Sequence, residues 1–250
     1  MKKKRIFLGI VLVLMVLLFA GIFKVTKLRN PVSTSTEFYL NEEVAFVNVE
    51  NPSENVSLPL ISNNTSVDNK LVFQQLFQST TDTIKIPEGV YTTSKIDATI
   101  KNKTIKGVQG KTVIRSSEDI VLQLWNSNDV VFEDITFESL DTSESLYGVI
   151  TVLNSNVKNI KFIRCTFKSK SSNGLKFVNE LPNVKSELIT FDQCKFVDIG
   201  RMGVEFQNHT DDGVLRYSNI TFIECEFTNI GTNGDGSGMG ITKVRKASAK

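Results

Sequence analysis

The side chains best suited to chemistry stand close together near residue 210. The chain's one histidine, His209, precedes the acidic pair Asp211-Asp212, and Gly213 follows the pair. Adjacent carboxylates beside an imidazole are groups that general acid–base catalysis uses. Asp211 and Asp212 are considered as candidate catalytic residues, and His209 as a candidate substrate-binding residue. A plainer alternative stays open, because an Asp-Asp-Gly sequence in a polar stretch is also typical of a turn.

A second group of candidates, Asp198, Arg201 and Asp235, combines a cation with two acids. We interpret the three as a substrate-binding site in which Arg201 is also a candidate catalytic residue. Asp235 lies in a glycine-rich segment, residues 233–238, whose carbonyl groups suit a hard cation, so Ca²⁺ at Asp235 is a candidate ligand. No other cofactor is expected. An arginine near two acids is more commonly a surface salt bridge, and that alternative stays open too.

The three cysteines, Cys165, Cys194 and Cys225, are about 30 residues apart and share one position of a repeat. We expect buried free thiols that pack as small apolar groups. A disulfide between two of them is the alternative, although an odd count leaves one thiol over. A metal site is not favoured, because no histidine accompanies them in the repeat.

The element that must position all these residues is a short phrase that occurs four times. In one-letter code it reads [VI]-x-F-x-x-[IC]-x-F, and its copies start at Val130, Ile160, Ile189 and Ile220. Apolar residues two apart lie on one face of a strand, and the step of three between the two pairs indicates a bend between two short strands. A period of about 30 residues indicates stacked supersecondary units.

A third strand follows each phrase, with alternating apolar pairs such as Leu175/Phe177. Gly174 and Gly203 stand directly before such strands, where a tight corner favours a residue without Cβ. Three strands per unit predict a parallel β-helix of about six coils, in which the phenylalanines form two internal columns. An open antiparallel sandwich is the alternative, and it is disfavoured because the junctions lack two-residue Asn-Gly or Asp-Gly turns.

The last coil is expected to be irregular. If Gly240 stands where earlier coils have Gly174 and Gly203, then Lys243 falls in the slot of Phe206. A lysine is unsuited to an internal column. The pattern therefore predicts that the register shifts to use Val244 or that the end of the solenoid frays.

The start of the repeat region carries a more specific signal. An amphipathic helix is predicted at 68–78, with Asp68 or Asn69 at its N-cap, and the sequence Ile-Pro-Glu-Gly-Val-Tyr follows at 86–91. This combination resembles the beginning of the pectate-lyase-like superfamily of right-handed parallel β-helices, and the resemblance covers about residues 66–245. It implies an all-β, single-stranded right-handed parallel β-helix whose helix caps coils at about 83–245.

The resemblance suggests activity on polysaccharide but does not fix it, because the superfamily contains lyases, hydrolases, epimerases and non-enzymatic surface proteins. Asp211-Asp212 resembles the acidic pair of its polygalacturonase-like hydrolases. The other motifs of those hydrolases depart from the pattern: Gly-His-Gly is missing, and the basic motif is reversed at residues 243–245. Calcium-dependent pectate lyases combine clustered acids with an arginine base, a role that the resemblance suggests for Arg201.

Three functions are therefore considered. The first is polysaccharide binding or processing, as a lyase or a glycoside hydrolase if the chain is an enzyme. The second is a non-enzymatic surface adhesin or spacer. The third is an inactive remnant of a longer polysaccharide-active enzyme.

The N-terminal region predicts export. Residues 6–23 are apolar and uncharged, and basic residues flank them on both sides. Eighteen helical residues reach about 27 Å, enough for the hydrocarbon core of a bilayer. No small-residue cleavage motif follows, so residues 1–29 are interpreted as an uncleaved signal anchor with a cytoplasmic N-terminus. Cleavage and secretion are the alternative. Both place a polar stalk, 30–66, and the β-helix domain, 67–250, outside the cytoplasm.

The net charge of the exported region indicates which classes of binding partner are expected. The whole chain has a formal charge of +2, but seven of its 29 basic residues and none of its 27 acidic residues lie in 1–29. Residues 30–250 therefore carry a net charge of −5. This argues against nucleic acid as the main partner and leaves a polysaccharide or cell-wall glycan as the expected one. The oligomeric state is not indicated by the sequence.

Overall fold

The computed structural model describes residues 44–45, 60–210, 212–234, 236–241 and 247–249. The predicted anchor, with its apolar run at 6–23, lies outside these residues, as does most of the predicted stalk. Within the described ranges no helix combines the length and the apolar character that crossing a bilayer requires. Two short strands, β1 (Val44–Ala45) and β2 (Ile61–Ser62), pair antiparallel ahead of the one described helix, α1 (Lys70–Gln78).

The remaining strands form three parallel sheets, to which each coil contributes one strand in turn. Sheet 1 contains β3 (Thr83–Lys85), β6 (Lys101–Lys106), β9 (Asn128–Glu133), β12 (Val157–Ile163), β15 (Ser186–Asp192), β18 (Tyr217–Ile223) and β21 (Ala247–Ala249). Sheet 2 contains β4 (Gly89–Thr92), β7 (Thr112–Ser116), β10 (Thr136–Ser139), β13 (Thr166–Ser169), β16 (Lys195–Ile199) and β19 (Glu226–Ile230). Sheet 3 contains β5 (Ile96–Ala98), β8 (Leu122–Leu124), β11 (Gly148–Leu153), β14 (Asn173–Asn179), β17 (Val204–Asn208) and β20 (Met239–Ile241). The predicted all-β parallel β-helix is confirmed.

Equivalent residues of consecutive coils lie over one another, as the repeat predicts. In sheet 1 Phe162 is in register with both Phe132 and Phe191, and all three are fully buried. The second column runs through Phe137, Phe167, Phe196 and Phe227 in sheet 2. These columns fill the centre of the tube, so the outward-facing alternate residues of each strand remain for function.

A single left-handed residue makes the bend between the first and second strands. The four repeated phrases place Asp134, Arg164, Gln193 and Glu224 at this position, with φ of 59°, 49°, 54° and 49°. One residue in the αL region reverses the alternation. The apolar residue after it therefore points inward again, which explains the step of three in the sequence phrase.

The third-strand corner requires glycine because of close approach. A Cβ on Gly174 would lie 2.5 Å from the carbonyl oxygen of Gly203, and a Cβ on Gly203 would lie 2.5 Å from that of Gly238. Gly238, not Gly240, is therefore the equivalent residue of the last coil. Ile241 pairs with Phe206, so the predicted shift of register to Val244 is wrong.

The helix α1 packs on the first coil through Phe73, Leu76 and Phe77, which are buried in the core. Asn69 is its N-cap residue, but the side chain of Asn69 bonds to Ser62 and to the carbonyl of Thr92 instead of capping the helix. Asp68 accepts the hydrogen bond from the Lys70 N–H. Both residues predicted from the sequence thus hold the start of the helix in place, Asp68 by bonding to the Lys70 N–H and Asn69 by bonding to Ser62 and Thr92.

Candidate functional site

The loop that carries His209 and Asp212 joins β17 to β18. The carboxylate of Asp212 accepts hydrogen bonds from the Val214 N–H at 3.0 Å and the Thr210 hydroxyl at 3.2 Å, and it pairs with Arg216. The Arg216 side chain is only 2% exposed. The Val214 N–H, with Arg216 and Thr210, holds the pKa of Asp212 below its usual value against the effect of burial. This carboxylate is therefore held ionised and suits charge stabilisation better than proton donation.

The neighbours of Asp212 are less constrained. His209 is exposed, and its Nε2 lies 3.3 Å from Oε1 of Gln207. Asp211 lies outside the described residues, so the predicted Asp pair is represented by Asp212 alone. The structure brings His209 and Asp212 into one loop, as the sequence does, and adds Arg216 as the cation that anchors it.

Asp198 and Arg201 have partners from different coils. Asp198 sits in a bulge of β16 with φ of 53° and accepts a hydrogen bond from Asn229 Nδ2 at 2.7 Å. Arg201 lies in the loop before β17, with its side chain 12% exposed, and pairs with Glu144 at 3.7 Å. Asp235, the candidate Ca²⁺ ligand, lies outside the described residues. Within the described ranges, no group of three or more His, Cys, Asp or Glu side chains is arranged to hold a metal ion.

The side of sheet 3 that faces away from the tube carries a row of polar residues in register, all of them buried: Gln123, Thr151, Lys176 and Glu205. Lys176 and Glu205 form a 2.9 Å ion pair in which each side chain is only 6% exposed. Asn173 donates a further hydrogen bond to Glu205 at 3.1 Å. A charged pair held this way is a fixed feature of the sheet, because each charge is compensated within it.

Trp125 forms an accessible site at the N-terminal end of the same face. It directly follows β8, its side chain is on the side of the strand that faces away from the core, and it is half-buried. Its indole N–H donates to Asp97 Oδ1 at 3.3 Å, and Lys95 Nζ lies 3.6 Å from the same oxygen. Lys95 also donates to Gln123 Oε1 at 3.4 Å. Gln74 of α1 donates to the Asp97 carbonyl at 3.0 Å, so the capping helix fixes the strand beneath this cluster.

Known proteins support the fold. No protein-family model matches the sequence, and no curated protein matches it either. Among solved structures, a proposed glycosyl hydrolase from Parabacteroides merdae aligns over 76% of this chain and 92% of its own, with a TM-score of 0.51 and 10% identity. The chain has the pectate-lyase-like right-handed parallel β-helix fold. At this identity the likeness establishes the fold and leaves the site to be argued from its own residues.

Two further solved structures are similar to this β-helix. The ORF18 protein of Geobacillus virus E2 aligns over 67% of this chain with 16% identity and a TM-score of 0.46, and the β-helix covers 40% of that protein's length. Pectin methylesterase PemA from Erwinia chrysanthemi aligns over 66% of this chain and 83% of its own, with 10% identity and a TM-score of 0.33.

The β-helix thus presents one accessible cluster that sequence reasoning missed. Trp125 is the chain's only tryptophan, and it continues the Leu122-Gln123-Leu124 alternation in the outward phase. The sequence feature that could have predicted this cluster is an aromatic residue at a strand position that faces away from the core. The cluster unites an aromatic face, a carboxylate and an ammonium group, which together can bind a ligand that is apolar on one face and polar at its edges.

Proposed function

We propose that this β-helix binds a polysaccharide or cell-wall glycan on the outward face of sheet 3, around Trp125. The observation that carries the proposal is the half-buried indole of Trp125, fixed by the carboxylate of Asp97. A pyranose ring has an apolar C–H face and a rim of hydroxyl groups. The indole face suits the former, while Asp97 and Lys95, whose side chains are about one-third exposed, offer an acceptor and donors to the latter.

The cluster is organised before any ligand arrives. Asp97 is held by Trp125 and Lys95 through its side chain and by Gln74 through its carbonyl. Groups that are already positioned lose little conformational entropy on binding. A rigid cluster of this kind favours a ligand of defined shape over a flexible peptide.

The repeat of the fold also favours a polymer. Neighbouring strands of a sheet are about 4.8 Å apart, which is close to the length of one sugar unit in an extended chain. A glycan that lies along the solenoid axis would therefore advance by about one coil with each successive sugar. The P. merdae protein that shares this fold is described as a proposed glycosyl hydrolase, which agrees with a carbohydrate ligand.

Processing of the bound glycan belongs to the same proposal as a second stage. Asp211, Asp212 and Arg201 remain the candidate catalytic residues, and Asp198, His209 and Asp235 remain candidates for substrate binding, with Ca²⁺ at Asp235. A glycosidase needs two carboxyl groups about 5–9.5 Å apart. Asp212 is engaged by Arg216, so the described residues support binding better than hydrolysis.

Placement at the membrane completes the proposal. The apolar residues 6–23 would span the bilayer once and hold the β-helix outside the cytoplasm. Cleavage within this region would instead release it as a secreted protein. In either case the glycan-binding face would meet material outside the cell.

A glycan array probed with the full chain in mild detergent tests the proposal. We expect retention on at least one class of polysaccharide, and loss of about tenfold or more for Trp125→Ala, the magnitude of one aromatic contact. Tyr147→Ala is the matched control, because Tyr147 is an exposed aromatic residue outside the cluster. Equal retention by Trp125→Ala, or no retained glycan at all, would rule the proposal out. New reducing or unsaturated ends in the same assay would show processing.

A non-enzymatic adhesin or spacer is the second candidate. The outward row of sheet 1 favours it, since this row is a flat succession of small and singly charged side chains in register: Thr104, Val131, Lys161, Thr190 and Thr221. This candidate predicts that no glycan is retained by the intact chain.

A further inference from the structure

The three cysteines occupy one slot, yet they are not equivalent. All are free thiols, and Cys165 and Cys194 are buried whereas Cys225 is half-buried. Each thiol lies near a phenylalanine carbonyl of the preceding coil; for Cys165 this is the Phe132 oxygen at 3.4 Å. The Glu226 N–H donates to the Cys194 carbonyl at 2.9 Å, so Cys194 and Cys225 occupy neighbouring coils in register. Cys225 is thus the most accessible thiol of the column, and Cys194 is its neighbour on the preceding coil.

The backbone register brings Cys194 and Cys225 within the Cα separation of a disulfide. Cys194 and Cys225 directly precede Lys195 and Glu226, which are in register on β16 and β19. Neighbouring strands are about 4.8 Å apart, inside the Cα separation of about 4.4–6.8 Å that disulfides require. Cys225 is half-buried whereas Cys165 and Cys194 are buried, so a small reagent would meet Cys225 first.

We propose that Cys194 and Cys225 are a reversible disulfide-forming pair that reacts with low-molecular-weight disulfides and links the fifth coil to the sixth. Cys225, as thiolate, attacks one sulfur of the external disulfide. This forms a mixed disulfide on Cys225 and releases the first small thiolate. Cys194 then gives its proton to a released thiolate and attacks the Cys225 sulfur, which expels the second small thiolate. Two protein thiols and one external disulfide become one protein disulfide and two small thiols.

The order of attack follows from the surroundings of the two sulfurs. Donation from the Cys194 thiol lowers the pKa of Cys225 to about 7, although burial and Asp192 act in the opposite direction. Burial raises the pKa of Cys194 far above its usual value. Cys225 is therefore the attacking thiol and Cys194 the resolving one. Burial likewise raises the pKa of Cys165 to about 12, which keeps it out of the exchange.

Exposure of the folded full chain to oxidised glutathione, followed by alkylation in denaturant and peptide mapping, tests the proposal. We expect a Cys194–Cys225 crosslink, one alkylated thiol at Cys165, and recovery of all three thiols after reduction. Cys165→Ser is the matched control and should form the same crosslink. Cys194→Ser should stop at glutathione attached to Cys225, and Cys225→Ser should leave both remaining thiols free.

Three outcomes would overturn the proposal. These are a wild-type chain whose three thiols all stay free, one that keeps glutathione on Cys225 without a crosslink, and one in which Cys165 is crosslinked as readily as Cys194. Serine variants that fail to fold are recognised by circular dichroism, and the wild-type mapping decides the question without them.

Discussion

Phe162 and Phe191, in register on consecutive coils, stack with their ring centroids 5.3 Å apart and their planes within 8° of parallel. Phe162 stacks in the same way on Phe132, also at 5.3 Å. It meets Phe167 edge-on at 5.5 Å across the tube. Each ring therefore touches neighbours along its own column and in the other column, which ties the coils together.

The first prediction concerns this stacking. Phe162→Ala should lower the free energy of unfolding by about 3–5 kcal/mol, because it leaves a cavity in a fully buried column. Lys161→Ala, one residue earlier in an outward slot, should change it by less than about 0.5 kcal/mol. Denaturant unfolding measures both. A loss below about 1 kcal/mol for Phe162→Ala would mean that the column does not hold the coils.

The second prediction concerns a strained residue. Asn102, Asp129, Asn159 and Asn219 adopt positive φ at one position of sheet 1, and Leu188, with φ of 58°, occupies the same position in β15. Leucine tolerates this region poorly, whereas asparagine is favoured there. Leu188→Asn should therefore raise the free energy of unfolding by about 0.5–1 kcal/mol.

The reverse substitution can be made at the equivalent position of the next coil, Asn219. Asn219→Leu should destabilise by a similar amount, because it introduces the same strain one coil later. The Leu188→Asn variant also creates an Asn-Ile-Thr sequence, so both proteins should be made in a host that does not glycosylate. A destabilised Leu188→Asn variant would contradict the assignment of strain.

The third prediction concerns the buried ion pair. Lys176→Met leaves Glu205 with Asn173 but without its cation, so the free energy of unfolding should fall by about 3–5 kcal/mol. Replacing both partners, as Lys176→Met with Glu205→Leu, should recover most of that loss, because no unpaired charge remains. Denaturant unfolding of the two variants decides. A double variant as unstable as the single one would show that the pair contributes more than mutual compensation.

The fourth prediction concerns pH. Partial burial raises the pKa of Asp68, but hydrogen bonds from Ser94 and Lys70 outweigh it and leave the pKa below its usual value. A depressed folded pKa means that the carboxylate stabilises the fold above the unfolded value, about 3.9. This contribution is lost as the pH falls through the folded pKa. Asp68→Asn should therefore cost about 0.5–1 kcal/mol near neutral pH.

Thermal unfolding across the acid range measures the Asp68 effect. The midpoints of wild type and Asp68→Asn should converge as the pH falls. Ser94→Ala should give a smaller shift of the same sign, since one of the hydrogen bonds from Ser94 remains. Parallel curves at all pH values would show that the charge of Asp68 has no role.

Most of the fold was predictable because its rules are local and repeat. The spacing inside the phrase predicts the inward residues, and the period predicts the columns. The last coil was placed two residues late, because Gly238 and Gly240 both fit the pattern and only the approach of Gly238 to Gly203 selects between them. The helix likewise begins at Lys70, two residues after the predicted start at 68.

The site was less predictable, because its partners come from different coils. Arg201 pairs with Glu144 from a loop two coils earlier, which no spacing along the chain reveals. Arg216, four residues after Asp212, was overlooked because it stands in a loop where side-chain direction cannot be read from periodicity. The alternation of residues after Leu122 predicts that Trp125 faces outward. Its contact with Asp97 could not be predicted in this way, because it depends on the pairing of β5 with β8.

The strand junctions of the β-helix differ in how well they can tolerate inserted residues, and the bend made by the left-handed residues is the least tolerant. In the four coils that begin with β9, β12, β15 and β18, two residues join the first strand to the second, whereas three to eight residues join the third strand to the next coil. A peptide inserted at the short bend would put every later rung out of phase, but one inserted at the long corner would only enlarge a loop. Loops from other proteins, inserted between the third strand of one coil and the first strand of the next, should therefore create new binding surfaces without changing the β-helix itself.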